Sequence, residues 1–516
     1  MESEISKCMK NKLLILSVGI CMSMHTSAQE SPNIIVFLVD DMGVMDTSVP
    51  FIINENGEMI RQPLNEWYHT PGMERLAKQG IRFSTFYANN VSSPSRASLM
   101  TGQSSARHRI TNWINAESNN RGLFGPPEWN WRGLTSKDMT YPSILKAAGY
   151  KTIHIGKAHF GCKNSEGENL LKLGFDINIG GSAIGHPGSY HGKNGYGKIK
   201  GNKSRAVPDL EQYHGTDVFL SDALTIEACK EIKKAVDAKQ PFYLNMSHYA
   251  VHAPFETDER FIGRYTDPTK STQAKAFATL IEGMDKSLND LMDKLDEFGV
   301  AENTIIFFLG DNGSDAPLGT PIGYGSATPF RGKKGYEYEG GIRVPFIVSW
   351  AKVNLENKFQ QMYPIASGKV QTQMATIMDI YPSVLSVAGV GLPKGHIIDG
   401  GDLKKMVAGE KDKKHRDDFM MHFPHDAGRG KYFTSYRKGD WKLIYYYHPE
   451  ADGKSSCELY NLKDDPYEMI DIVKDNVDIV KYMFKLMKER LEREKALYPI
   501  NKKKENIYPI LPEYIL

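Results

Sequence analysis

A near-continuous apolar run at 33–39 breaks off directly into two adjacent carboxylates, Asp40 and Asp41. A strand without polar alternation must be covered on both faces, so this run predicts a central strand of a sheet with helices on either side. Further extended stretches are predicted at 81–87, 151–155, 242–247, 304–309 and 345–350. Amphipathic helical stretches are predicted at 71–80, 141–149, 217–238 and 273–298. Strands alternating with helices define an α/β architecture built on a large mixed, mostly parallel sheet. After about residue 410 the pattern changes. Segment 432–447 is aromatic and alternating, with a Lys-Gly-Asp turn at 438–440, and a helix is predicted at 477–497. The expectation is a main domain over 31–410 and a smaller C-terminal α+β subdomain with an antiparallel sheet over 411–516.

A chain of 516 residues is long enough for both units. Its 64 basic and 62 acidic side chains nearly cancel, so no global field argues for nucleic acid or an anionic membrane surface. Residues 1–28 read as a signal peptide: Lys7, Lys10 and Lys12 precede a short apolar stretch at 13–24, and Thr26-Ser27-Ala28 offers a cleavage site. Met9 is an alternative start, and Ile20 before Cys21 argues against a lipid anchor. An exported protein, periplasmic or extracellular and without stable membrane insertion, is expected. Cys162, Cys229 and Cys457 remain after cleavage, too few and too scattered for a disulfide framework or a thiolate metal site.

Asp40 and Asp41 stand at the carboxyl end of a strand, the edge where open α/β sheets hold ligands. Adjacent carboxylates repel, and a cation between them relieves the repulsion. Asp311-Asn312 follows the strand at 304–309 in the same way. Oxygen donors without His or Cys suit Ca²⁺ or Mg²⁺ better than Zn²⁺. Ser92 precedes Ser93-Pro94-Ser95-Arg96, where Pro94 marks a helix start, so Ser92 lies at a helix terminus suited to anions. Other signals carry less. The Gly-x4-Gly-Lys spacing at 192–198 lacks a preceding strand and has Ile199 where Ser or Thr is required. The sequons at Asn90 and Asn245 fall inside these candidate segments, and the tyrosine run 445–447 reads as strand packing. The long loops 178–202 and 312–341 are candidates for function. His186, Tyr190 and His191 in the first are candidates for lining a pocket, as are the histidines of 422–425.

Ser92-x-Pro-Ser-Arg96, with Ala97-Ser98-Leu99-Met100-Thr101-Gly102 behind it, resembles the signature of the type I sulfatases of the alkaline phosphatase superfamily. Asp40-Asp41-Met42-Gly43 and Gly310-Asp311-Asn312-Gly313 resemble that family's two metal segments. Gly156-Lys157-Ala158-His159, the block from His248 to Phe255 with His252, and Arg331-Gly332-Lys333-Lys334-Gly335 resemble its remaining site segments, in the same order. Glu458-Leu459-Tyr460-Asn461-Leu462 is similar to its C-terminal sheet. Ala158 departs from the usual Trp.

The resemblance implies one Ca²⁺ held by Asp40, Asp41, Asp311, Asn312 and residue 92. It implies that Ser92 is oxidised to formylglycine, whose hydrate attacks sulfur with one hydroxyl and expels sulfate with the other. A Ser rather than a Cys precursor implies an anaerobic sulfatase-maturating enzyme as partner. By the same resemblance Asp311 assists deprotonation, Arg96 and Lys157 hold residue 92, and His159 takes a proton during sulfate release. His252 and Lys334 grip sulfate and protonate the leaving alcohol. A sulfated saccharide, with galactose or N-acetylhexosamine at a chain end, is the implied substrate. Two other readings remain at this point: a phosphoesterase using unmodified Ser92, and a glycan-binding protein without turnover.

Overall fold

The computed structural model describes residues 31–54, 56–319, 325–426, 431–451 and 454–515. The signal-peptide reading at 1–28 lies outside the described residues. Eight strands form the main sheet: β1 (Asn33–Val39), β2 (Ile81–Phe83), β3 (Lys151–Gly156), β4 (Ile177–Ile179), β5 (Phe242–His248), β6 (Thr304–Gly310), β7 (Phe346–Trp350) and β8 (Lys369–Gln371). Their order across the sheet is β8-β2-β7-β6-β1-β5-β3-β4. Every pairing is parallel except the two made by β7, which runs against β6 and β2.

The apolar runs form these strands because both faces are covered. Alternate residues of β1 enter two different cores, as the two-residue repeat of a strand requires. Ile35, Phe37 and Val39 pack with helices α1 (Pro71–Gln79), α4 (Leu220–Asp237) and α5 (Thr272–Glu297). Ile34, Val36 and Leu38 pack with α2 (Ser92–Thr101), α3 (Tyr141–Ala147) and α7 (Ile380–Val387). The α4 helix begins three residues later than its pattern predicts, at Leu220, so Asp217 stands outside it. The extended stretch 81–87 divides into β2 and a two-residue strand, Phe86–Tyr87. Helix α2 starts at Ser92 itself rather than at Pro94. Proline is tolerated there because first-turn N–H groups have no intrahelical partner.

The C-terminal part forms an antiparallel sheet of β9 (Asp418–Asp426), β10 (Lys431–Lys438), β11 (Trp441–Tyr446) and β12 (Ser456–Asn461). Helix α8 (Val477–Glu494) packs across it, with Val480, Met483, Met487 and Leu491 against Leu443, Tyr445 and Leu459. Tyr445 and Tyr447 are buried there as packing residues. No helix among the described residues is long and apolar enough to cross a membrane. Cys162 and Cys457 are buried, Cys229 is half-buried, and all three are free.

A buried charge cluster ties this sheet to the main domain. Lys442 of β11 lies 3.1 Å from Glu339 and 2.6 Å from Glu468, and all three side chains are sealed from water. Glu339 opens the short helix α6 (Glu339–Ile342), and its N–H donates to Glu468 at 2.7 Å. Removing one member of a buried ion group strands the others. Lys442→Met is therefore expected to lower stability by about 3–5 kcal/mol, read as a fall in the urea midpoint. Adding Glu468→Gln is expected to recover part of the loss.

Candidate active site

Four neighbouring parallel strands, β6, β1, β5 and β3, end at one edge, and each passes into a segment carrying polar side chains. The register sets Val39 beside both Gly310 and His248, and Gly156 beside Ser247. Asp40-Asp41, Asp311-Asn312, Lys157 and the 249–252 turn therefore emerge side by side. Asp311 N–H donates to Val39 O at 3.1 Å, and Lys157 N–H to Ser247 O at 2.7 Å. Gly310 makes the closest of these approaches possible, since a Cβ there would lie 2.1 Å from Met42 O. Consecutive strand residues normally face opposite ways. Asp41 takes a left-handed backbone, φ 59°, which an aspartate tolerates better than most residues. That turn lets both aspartates serve one site.

The carboxylates of Asp40, Asp41 and Asp311 are fully buried and offer oxygens within 4.8 Å of one another. Helix α2 brings Ser92 to them. Its Oγ lies 2.9 Å from Asp40 Oδ1, 2.7 Å from Asp311 Oδ2 and 3.3 Å from Asn312 Oδ1. A hydroxyl has one proton, so three acceptor oxygens around it exceed what it can satisfy. This all-oxygen donor set fits a hard divalent cation.

Cations surround the acids. Lys157 Nζ donates to both oxygens of Asp40 at 2.7 Å and to Ser92 Oγ at 3.1 Å. Arg96, wholly buried, donates from Nε to Asp311 Oδ2 at 2.9 Å and from Nη1 to Ser247 Oγ at 2.8 Å. Lys334 Nζ donates to Asp41 Oδ2 at 2.6 Å, and His252 Nε2 lies 3.5 Å from the same oxygen. Burial raises the pKa of Asp40 to about 7 against the pull of Lys157. Burial also acts on Asp41, but His252, Lys334 and Lys157 outweigh it and hold that carboxyl low. Burial presses His252 down to about 3 and His159 well below the usual imidazole range. For Lys334 burial is outweighed by Asp41 and Asp315, and its pKa rises.

A cavity of about 340 Å³ opens above Ser92, bordered by Lys157, His159, His252 and Lys334. The structure thus brings together the ten site residues singled out in the sequence: Asp40, Asp41, Ser92, Arg96, Lys157, His252, Asp311, Asn312 and Lys334, with His159 at the cavity's border. His159 Nε2 bonds Ile114 O at 2.6 Å, leaving Nδ1 buried without a partner among the described residues. Of the loop candidates, only His186 borders the cavity. Tyr190 lies beneath it, its hydroxyl 2.7 Å from the carbonyls of Tyr249 and His252. His191 packs edge-on to Phe219 instead. His422 and His425 are buried and fully bonded, to Thr434 and Leu497 O and to Thr111 and Arg121 O. They do not reach Ser92, which corrects the expectation for 422–425. Asn90 and Asn245 are buried, in keeping with the dismissal of both sequons. Segment 192–197 is a 3-10 turn rather than a strand-to-helix loop, as its sequence argued. Two residues were not singled out. Ser247, a hydroxyl inside an apolar strand, was a signal available to find one; Trp113, an indole in a polar loop, was the other.

A mixed α/β sheet with a buried acid cluster and a serine hydroxyl at its carboxyl edge accords with a hydrolase of the alkaline phosphatase-like superfamily. The chain belongs to the sulfatase family, whose model matches residues 32–390, and it is a sulfuric ester hydrolase. The C-terminal model of N-sulphoglucosamine sulphohydrolase matches residues 332–496. The chain is 29% identical over 417 residues to the N-acetylgalactosamine-6-sulfatase of Mus musculus, covering 77% of this chain and 70% of that one. It is 26% identical to a sulfatase of Formosa agariphila, covering 92% and 91%. The crystal structure of Ps i-CgsB in complex with k-i-k-neocarrahexaose superposes with a TM-score of 0.68 at 23% identity, covering 93% and 95%.

Cation titration tests the acid cluster. Millimolar Ca²⁺ is expected to raise the melting temperature, and Asp311→Asn is expected to abolish that rise.

Proposed function

We propose that the protein removes an O-sulfate from a chain-end sugar of a sulfated glycan, a galactose or an N-acetylhexosamine, and releases inorganic sulfate. The nucleophile is residue 92 after oxidation of Ser92 to formylglycine by an anaerobic maturating enzyme. Residues 31–410 form the catalytic domain and 411–516 the C-terminal subdomain of an exported enzyme, periplasmic or extracellular. The observation that carries this reading is the setting of Ser92 Oγ: three acceptor oxygens and the Lys157 ammonium within 3.3 Å, at the floor of a cavity. The N-acetylgalactosamine-6-sulfatases among the relatives support the sugar class.

Asp40, Asp41, Asp311 and Asn312 would hold one calcium ion, which supplies Lewis-acid polarisation and alignment of the sulfate. The aldehyde hydrate supplies a second hydroxyl through which the sulfated intermediate breaks down without direct attack by water on sulfur. The chain's own groups do the rest. Asp311, 2.7 Å from Ser92 Oγ, receives the proton of the attacking hydroxyl. Arg96 fixes that carboxylate from two nitrogens, at 2.9 and 2.8 Å. Lys157 neutralises Asp40 and orients residue 92. The unpartnered Nδ1 of His159 accepts the proton that leaves residue 92 as sulfate departs. His252 and Lys334, on the Asp41 side, hold sulfate oxygens and deliver a proton to the sugar oxygen.

Peptide mass spectrometry of the segment around residue 92, from protein made in an anaerobic host, is expected to show loss of two hydrogens. Unmodified Ser92 in an active phosphatase would sink the sulfatase assignment of that residue. Lys334→Met is expected to lower kcat/KM for a sugar sulfate by roughly 10²- to 10⁴-fold. The loss is expected to be much smaller for 4-nitrophenyl sulfate, whose leaving group needs no acid.

A further inference from the structure

Two walls of the cavity play no part in the sulfate chemistry described above, and both are built with care. One carries Trp113, which borders the cavity and is 37% exposed. Its backbone N–H donates to Asn112 Oδ1 at 2.9 Å, and its backbone carbonyl accepts from Asn120 Nδ2 at 2.8 Å. The next residue is fastened to the catalytic floor. Ile114 N–H donates to Ser93 Oγ at 3.0 Å, and Ile114 O accepts from His159 at 2.6 Å. From behind, His425 spans the loop, with Nε2 2.8 Å from Thr111 Oγ1 and Nδ1 3.0 Å from Arg121 O. A wall fixed from three sides loses little freedom when a ligand settles on it.

A second part of the lining carries His186. Its ring lies parallel to that of His252, centroids 5.5 Å apart and planes 10° apart. Each ring is pinned by Nδ1 to the carbonyl of the following residue, Pro187 at 3.0 Å and Ala253 at 2.9 Å. Both Nδ1 atoms therefore donate, which leaves Nε2 of the neutral His186 ring as an acceptor. His252 turns its Nε2 toward Asp41, whereas His186 has no protein partner for Nε2 among the described residues. Burial keeps the His186 ring neutral by lowering its pKa. Arg205, paired with Glu117 at 2.6 and 3.0 Å, closes the rim. At about 340 Å³ the cavity is at the small end for ligand pockets, which run from roughly 300 to 1,000 Å³.

We infer that Trp113 and His186 select the sugar: the hexopyranose bearing the sulfate lays an apolar C–H face on the Trp113 indole and donates one hydroxyl to His186 Nε2. This inference rests on the saccharide-sulfatase reading and adds its specificity residues. Aromatic lining with a few placed polar groups is the usual composition of a small-ligand pocket. A site built to bond a hydroxyl discriminates strongly against ligands that lack one.

The test uses full-length protein matured at residue 92, a panel of O-sulfated galactose, N-acetylgalactosamine and glucosamine monosaccharides, and 4-nitrophenyl sulfate. His186→Phe keeps a ring against His252 but has no Nε2. It is expected to lower kcat/KM about 10- to 100-fold on the best sugar sulfate and to stay within about threefold on 4-nitrophenyl sulfate. Trp113→Ala is expected to lower kcat/KM on the sugar by a similar factor, chiefly through KM. Equal losses by His186→Phe on both substrates, or no loss on the sugar by either variant, would overturn the inference while leaving the sulfatase reading intact. Hydrolysis of the aryl ester with no turnover of any sugar would overturn it too. Failure of matured wild-type protein on every sulfate ester would instead remove the underlying function.

Discussion

Three carboxylates sealed from water within 4.8 Å of one another repel strongly. Two unit charges at such a separation repel by roughly 3–4 kcal/mol at an effective dielectric near 20. Arg96, Lys157 and Lys334 answer this with one cation to each acid: Asp311, Asp40 and Asp41 respectively. Much of the surrounding architecture follows from that pairing. Helix α2 must deliver Arg96 wholly buried, β3 must end where Lys157 can reach β1, and the loop after Asn312 must return to bring Lys334 over Asp41. The sheet register and the close packing at Gly310 are the means by which the backbone meets those demands.

The fold was legible wherever one physical cause dominated. Apolar runs without alternation announced β1, β5 and β6, and the acids directly after two of them announced the site. Less legible was anything fixed by long-range packing. Nothing local in 346–350 says that β7 alone runs against its neighbours, because an apolar strand reads the same in both directions. Pro94 marked a helix start correctly but not which first-turn position it fills, so the start of α2 was read too late. The sugar-side wall was hidden for the same reason. Trp113 lies in a loop whose shape is set by partners far along the chain, among them His425. The histidines of 422–425 looked chemical in sequence and act as braces, since a buried imidazole can satisfy two backbone-bound groups at once.

The C-terminal sheet does more than add mass. Through Lys442 and Glu468 it clamps Glu339, at the end of the segment that carries Lys334. Through His425 it steadies the loop that carries Trp113. Two parts of one cavity's lining thus lean on residues of the C-terminal sheet and its surroundings.

Every residue of α2 is buried, and Ser92 has only 3% of its surface exposed. Once the chain has closed over it, that side chain is reached through the cavity. If a second enzyme oxidises residue 92, as proposed, it would reach that side chain most readily before the cations find their acids. On that proposal the order of oxidation and folding would become part of the protein's activation.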